Sequence, residues 1–239
     1  MQAGQVRTAW IIGVSLVAGL GLLGYLLSDA AIRFKAFERT VTVKGLAERE
    51  YPADRVIWPI QFNEASNDLG KLYAALDEGA GKIRAYLLLH GVHEEEISLS
   101  VPLITDKSAQ QYGGGPPSPF RYTGVQTVTV LSTKVARMRE LMTGLSELGK
   151  QGIVLAGDGY QTQTEYLFTR LNEIKPAMIE EATRNAREVA VKFAADSDSD
   201  LGKIRKASQG QFVIQPRDSN TPHIKRVRVV STVEYYLSD

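Results

Sequence analysis

Three clusters in this 239-residue chain combine side chains that would support chemistry if the fold brought them together. His90 and His93, followed by Glu94, Glu95 and Glu96, offer imidazole and carboxylate donors of the kind that hold a metal ion. Gly91 breaks the helix between the two histidines, so they do not share a face as in the helical zinc motif. The segment reads as a solvated turn from helix to strand. Asp196, Asp198 and Asp200 have the one-three-five spacing of a calcium loop, but Leu201 stands at position six and Ala207 at position twelve, where that loop needs glycine and a bidentate glutamate. Gly79-Ala80-Gly81-Lys82 echoes the end of a phosphate-binding loop, yet it lacks the upstream glycine and lies within an amphipathic helical pattern.

A fourth group is purely electrostatic. Lys203, Arg205 and Lys206 on one predicted strand and Lys225, Arg226 and Arg228 on the next form either an exposed sheet face or a basic hairpin patch. Such a patch would meet an anionic lipid, a glycan or an acidic envelope protein. No nucleophile elbow, catalytic triad or signature pair of carboxylates is present, and His223, one of only three histidines, lies in a polar loop beside Pro222. The chain is therefore expected not to be an enzyme, and no cofactor or metal is expected. Lysine and arginine total 28 against 27 acidic residues, a balance that leaves no footprint for nucleic acid. Cysteine is absent, which excludes disulfides and thiolate metal sites and is compatible with either redox compartment.

The elements that must position these residues follow from periodicity. Thr40 to Lys44 and Val56, Trp58, Ile60 and Phe62 alternate as two half-buried strands joined through the Glu48–Asp54 turn. Pro59 places the second strand at an edge or on a bulge. Leu69, Leu72, Leu76, Ala80, Ile83 and Leu87 form one helical face that ends at Gly91. Ile97, Leu99, Val101 and Leu103 alternate as a strand, as do Tyr122, Gly124, Gln126, Val128 and Val130. The Tyr112–Pro119 loop between them, with three glycines and three prolines, is expected to be exposed and mobile.

A second helix turns Val135, Met138, Leu141, Leu145 and Leu148 inward and closes at Gly149 and Gly152. Ile153 to Phe168 reads as strand interrupted at Gly157-Asp158-Gly159. A third helix aligns Ile179, Ala182, Ala186, Val189 and Phe193, and starts near Ile174 so that Pro176 falls in its first turn. Lys203–Gln215 and Lys225–Leu237 are the last strands. Paired strands separated by helices predict an α+β fold of antiparallel or mixed sheets packed by amphipathic helices, not a doubly wound nucleotide-binding sheet.

The N-terminus adds a different kind of element. No residue from Trp10 to Leu27 is charged, and the run is about as long as a helix needs to cross a bilayer. It reads either as a secretory signal cut near Ser28-Asp29-Ala30 or as an uncleaved anchor. The anchor is favoured by its length and by Arg33 and Lys35 following so closely on the cleavage position. Gly13, Gly19, Gly21 and Gly24, and the Ser15/Gly19 spacing, are compatible with close approach of a second helix and equally with ordinary membrane-helix composition. Arg7 precedes the segment and Arg33, Lys35 and Arg39 follow it. Charge counting alone therefore leans slightly toward a cytoplasmic C-terminal domain.

Several blocks in order carry a family resemblance: Tyr122-Thr123-Gly124-Val125-Gln126 with Thr127 to Val130, the run from Leu171 through Pro176, Ala182, Asn185-Ala186-Arg187 and Lys192-Phe193-Ala194 to Ile204, then Ala207-Ser208-Gln209-Gly210 and Val227-Arg228-Val229. Together they resemble the SIMPL-domain proteins over roughly Glu38 to Leu237, although Gly124-Val125 stands where that family commonly has Gly-Tyr. The resemblance implies a bacterial cell-envelope protein, often periplasmic or outer-membrane-associated, without an established catalytic site. Some relatives are linked to oxidative or envelope stress, and some periplasmic immunogenic relatives assemble into large rings. The expected organisation is a tail at 1–9, a transmembrane helix or signal anchor at 10–27, a juxtamembrane linker at 28–37 and a SIMPL-like α+β domain at 38–239. The domain is expected to face the periplasm from the inner membrane on a single span, or to be released there by cleavage, and to self-associate.

Overall fold

The computed structural model describes residues 2–36, 39–109, 119–156 and 163–238, with the backbone alone at 2–9, 12 and 32–36. The expected 112–119 loop, Pro119 excepted, and the Gly157-Asp158-Gly159 turn lie outside the described residues. Along the chain run α1 (Gln2–Ala36), β1 (Thr40–Pro52), β2 (Arg55–Ser66), α2 (Leu69–Leu89), β3 (Ile97–Leu99), β4 (Leu103–Asp106), β5 (Tyr122–Ser132) and α3 (Val135–Thr143). Then come α4 (Ser146–Lys150), β6 (Val154–Leu155), β7 (Glu165–Leu167), α5 (Leu171–Asp196), β8 (Asp200–Gln209), β9 (Val213–Pro216) and β10 (Ile224–Ser238). The α+β class read from the sequence is the one observed, with helices on two sheets and one apolar N-terminal helix. The chain divides into two compact units: residues 1–48, 174–213 and 228–239 form one, and 49–173 with 214–227 form the other.

The second of these units contains a six-stranded sheet in the order β3-β5-β2-β6, with β4 also on β5 and β7 also on β2. Val56, Trp58, Ile60 and Phe62 of β2 and Val128 and Val130 of β5 point into one core with Leu72, Leu76, Ile83 and Leu87 of α2. Asp68 caps α2 by accepting the Lys71 amide at 2.8 Å, and Gly91 beyond its end adopts φ +84°, a conformation that favours glycine. Close approach of the layers depends on two glycines. A Cβ on Gly79 would stand 2.7 Å from the Phe62 ring, and one on Gly124 would stand 2.7 Å from Leu76 Cδ1.

Three expectations are corrected in this unit. Pro59 is neither at an edge nor on a bulge: β2 is central, and Pro59 pairs in unbroken register with Thr129. Its missing donor is accommodated on the other side, where the described partners of β2 pair at Arg55–Ile57 and Phe62–Asn63 and leave Pro59 between them. The strand predicted through Ile97 and Leu103 is two short strands on either side of Pro102, which leaves Val101 88% and Leu103 70% exposed. The second helix is broken into α3 and α4 at Gly144, where a Cβ would meet the Tyr86 hydroxyl at 2.6 Å.

The other unit packs α5 against β1 and β10 of a four-stranded sheet, β1-β10-β8 with β9 also on β10; β8 and β10 are antiparallel. The buried stripe of α5 is Met178, Ala182, Ala186, Ala190 and Ala194, not the predicted line through Val189 and Phe193, and Phe193 is 54% exposed. The reason is steric. Gly45 of β1 lies directly under α5, where a Cβ would stand 2.9 Å from Ala186 Cβ and closer still to the backbone at Ala182 O and Ala186 N. Only a small-residue seam lets helix and strand meet at that distance, and larger side chains are displaced to the flanks. Asn185 fixes the register by donating to the Leu46 carbonyl at 2.8 Å. The helix also begins one turn earlier than predicted, at Leu171, so Pro176 lies inside it and not in its first turn. Proline there leaves only the Asn172 carbonyl without its helical donor, close to an end that has unpaired groups in any case.

Candidate functional site

Two features rise above the background of a folded α+β protein, and the first is α1. Its Gly13–Ala31 window of 19 residues has a mean hydropathy of 1.6 and none of it is buried. At 1.5 Å per residue the window is ~28 Å long, close to the hydrocarbon thickness of a bilayer. Trp10, Leu16, Leu20, Leu23 and Leu27 of α1 are all exposed. The Ser15 hydroxyl donates to the Ile11 carbonyl at 2.9 Å, so its polarity is satisfied within its own helix.

The second feature is a cavity of about 500 Å³ in the unit formed by 49–173 and 214–227. Three segments meet there: the β1–β2 turn, the start of α3, and the loop between β9 and β10. The turn and the helix start contribute Pro52, Ala53, Val135 and Ala136, an apolar lining. Thr133, Lys134, Arg137, Arg139 and His223 supply the polar groups. The loop is pinned to the turn by the Ala53 amide, which donates to the His223 carbonyl at 2.8 Å. Within the loop the Asp218 carboxylate accepts from the Asn220 and Thr221 amides, at 2.9 and 2.7 Å, and from the Thr221 hydroxyl. Arg217 donates to Asp218 at 3.0 Å and pairs with Glu50 at 3.4 Å. These contacts hold Asp218 well below the usual carboxylate range and fix the backbone that carries His223.

The field at His223 is positive. Burial lowers its pKa below the ordinary 6.5, and the nearby Arg139 and Arg217 guanidinium groups lower it further; Asp218 opposes them. Tyr166 meets the imidazole edge-on with ring centroids 6.0 Å apart, and its own pKa is raised by burial while Arg139 opposes the rise. Lys134 Nζ lies 3.1 Å from His93 Nε2, and Arg137 donates to the His90 carbonyl at 3.2 Å and reaches Glu140 at 3.4 Å. A further cavity, of about 550 Å³, is lined by Tyr166, Asp218 and Pro222 among others, on the same loop.

The clusters singled out from the sequence are placed as follows. His90 bonds through Nδ1 to the Tyr86 carbonyl at 2.8 Å and its ring lies 4.2 Å from that of Tyr86, whereas Glu94 pairs with Arg84 and Glu96 accepts the His93 amide at 2.9 Å. Among the described residues no three potential metal ligands converge. Asp196, Asp198 and Asp200 are exposed at the turn from α5 to β8, with Asp198 at φ 50°. Gly79 to Lys82 lies within α2, where Gly79 faces Phe62 and Lys82 pairs with Glu78 at 2.7 Å.

The basic residues divide into separate sets. Lys203, Arg205 and Lys206 lie on β8, where Arg205 pairs with Glu234 at 2.9 Å and Lys206 stands opposite Glu234 in register. Arg228 is exposed on β10, six residues before Glu234 and so ~20 Å along the strand. Lys225 is buried, and that burial lowers its pKa against the pull of Glu165; Arg226 donates to the Arg217 carbonyl at 3.4 Å. Sequence reading missed the cavity set, because Lys134, Arg137 and Arg139 line one cavity with His223 only through the fold. The available signal was the stretch from Ser132 to Arg139, which has three cations and no acid.

Fold and site together define a class: an α+β domain that follows a helix apolar and exposed enough to enter a membrane, with a basic cavity in one of its two units. The profile of the SIMPL family, described as a protein of unknown function (DUF541), matches residues 41–234. The chain belongs to the SIMPL family. No curated protein matches it.

Proposed function

We propose that this SIMPL-family chain is a non-enzymatic protein of the cell envelope, anchored in the inner membrane by α1 with its folded domain in the periplasm, where it self-associates. The observation that carries the reading is the uncovered apolar window of α1, whose exposure in water would be costly and whose insertion in a bilayer is favourable. Asp54 and Asp106 are carboxylates with structural roles. Burial alone would raise Asp54, but the hydroxyl and amide of Thr169 outweigh it. Asp106 is lowered to about 2 by Arg121 and Ser108. Each is held ionised while tying a loop, not poised near neutrality as a general acid or base would be. Self-association is supported by β8, whose residues from Lys203 to Gln209 are all exposed along a sheet edge.

The test is protease accessibility of a C-terminal tag in spheroplasts, with N-terminal sequencing of the mature chain and light scattering of the full-length protein in detergent. The expected result is a tag cleaved from outside, an intact N-terminus, and a mass above that of one chain. A tag protected until lysis would refute the periplasmic placement, cleavage after residue 27 would refute the anchor, and a monomer at high concentration would refute self-association.

A further inference from the structure

We infer that the cavity lined by Lys134, Arg137, Arg139 and His223 is a binding site for a phosphoryl group carried on a small apolar body. Its volume, about 500 Å³, is in the range that encloses small organic ligands. Its described lining has three permanent cations and no carboxylate, in a protein whose overall charge is only +1. Part of this charge is partnered, since Arg137 pairs with Glu140 at 3.4 Å and Lys134 lies against His93 and near Glu96, but Asp218 is committed to Arg217, Thr221 and the loop amides, and among the described residues no carboxylate pairs with Arg139. His223 is depressed first by burial and then by Arg139 and Arg217, and an anion in that corner would offset the part that the arginines contribute.

Arginine presents donors in a planar fork that matches phosphoryl oxygens, and a single carboxylate would leave part of this cluster uncompensated. Pro52, Ala53, Val135 and Ala136 make the remaining wall apolar, so the group bearing the phosphate is expected to be hydrophobic rather than a sugar. Arg139 has a second role, because it approaches Tyr166 as well as His223 and so connects β7 to the cavity wall. The site is independent of the side of the membrane on which the domain lies.

The test is isothermal titration of the full-length protein in neutral detergent with phenyl phosphate, with inorganic phosphate as competitor, and separately with bicelles containing phosphatidic acid or only phosphatidylcholine. Saturable binding of phenyl phosphate, displaced by inorganic phosphate, is the result expected for a soluble ligand. Binding confined to phosphatidic acid bicelles supports the same site with a lipid headgroup as the source. In either case Arg139→Gln is expected to weaken binding at least tenfold, and Lys134→Gln, which removes charge without the Tyr166 contact, severalfold. Lys203→Gln, on β8, is expected to leave it unchanged. Absence of saturable binding to every phosphate probe would overturn the inference, as would equal affinity in wild type and both cavity variants with their melting temperatures intact.

Discussion

Substituting Gly45 by alanine tests the account of how α5 meets β1. The added Cβ would lie 2.9 Å from Ala186 Cβ, about 1 Å inside ordinary carbon–carbon contact, and nearer still to two backbone atoms of the helix. Backbone cannot rotate away as a side-chain end can, so α5 must lift along its whole alanine seam. Overpacking of this kind costs about 3 kcal/mol at the upper end of its usual range, and replacing a strand glycine returns ~0.5–1 kcal/mol of conformational entropy. The net loss is about 2 kcal/mol, which raises the equilibrium opening of the affected segment roughly 30-fold. Gly81 on α2 is the matched control: it is exposed, nothing lies within 4 Å of an added Cβ, and alanine there gains ~0.8–1 kcal/mol of helix propensity. Hydrogen exchange read by mass spectrometry on the full-length protein resolves the two helices separately. In Gly45→Ala the α5 and β1 peptides are expected to exchange about 30-fold faster with α2 unchanged, and in Gly81→Ala the α2 peptides about fivefold slower. An α5 exchange rate within threefold of wild type in Gly45→Ala would refute the close-packing argument.

Asp54→Ala removes the acceptor of the Thr169 amide and hydroxyl, at 2.8 and 2.7 Å, and is expected to destabilise the protein by about 1–3 kcal/mol in urea titrations at pH 7. The folded-state pKa of Asp54 is lowered from 3.8, so its contribution is present above that value and is lost as the pH falls through the folded-state pKa. The gap between wild type and variant should therefore narrow in acid, and a gap independent of pH would contradict the assignment. His223 is faced by Arg139 from α3, Arg217 and Asp218 from its own loop, and Tyr166 from β7. Its imidazole resonances should titrate below 6.5 and move part of the way back in Arg139→Gln. Because folding favours the neutral ring, its contribution to stability is complete above 6.5 and declines as the pH falls toward the folded value, and a midpoint at or above 6.5 would contradict the burial and charge argument.

The elements that sequence periodicity located well are those whose pattern is decided by one packed layer. Val56 to Phe62 alternate because β2 has one buried face, and Leu72 to Leu87 repeat because α2 covers it. Periodicity failed on α5, where Val189 and Phe193 are the more hydrophobic choices but Gly45, far away in the chain, dictates that the contact be made by alanines. Size complementarity between distant segments leaves no trace in a local window. Pro102 and Gly144 show the same limit on a smaller scale: the apolar spacing ran through both, and backbone chemistry interrupted it.

The cavity was hidden for an electrostatic reason. A net charge of +1 describes the whole chain, whereas a ligand responds to the charges within about a Debye length of it, ~8–10 Å. Lys134, Arg137 and Arg139 on one segment acquire that significance only when the β1–β2 turn holds the His223 loop against them through the Ala53 amide. The basic residues that looked like a patch in the sequence show the converse. Arg205 is offset by Glu234, Lys225 is buried, and Arg226 serves the Arg217 carbonyl. Charge that is already partnered supports the fold, whereas the cavity wall beside His223 carries three cations and no carboxylate, which is where an anion would gain most.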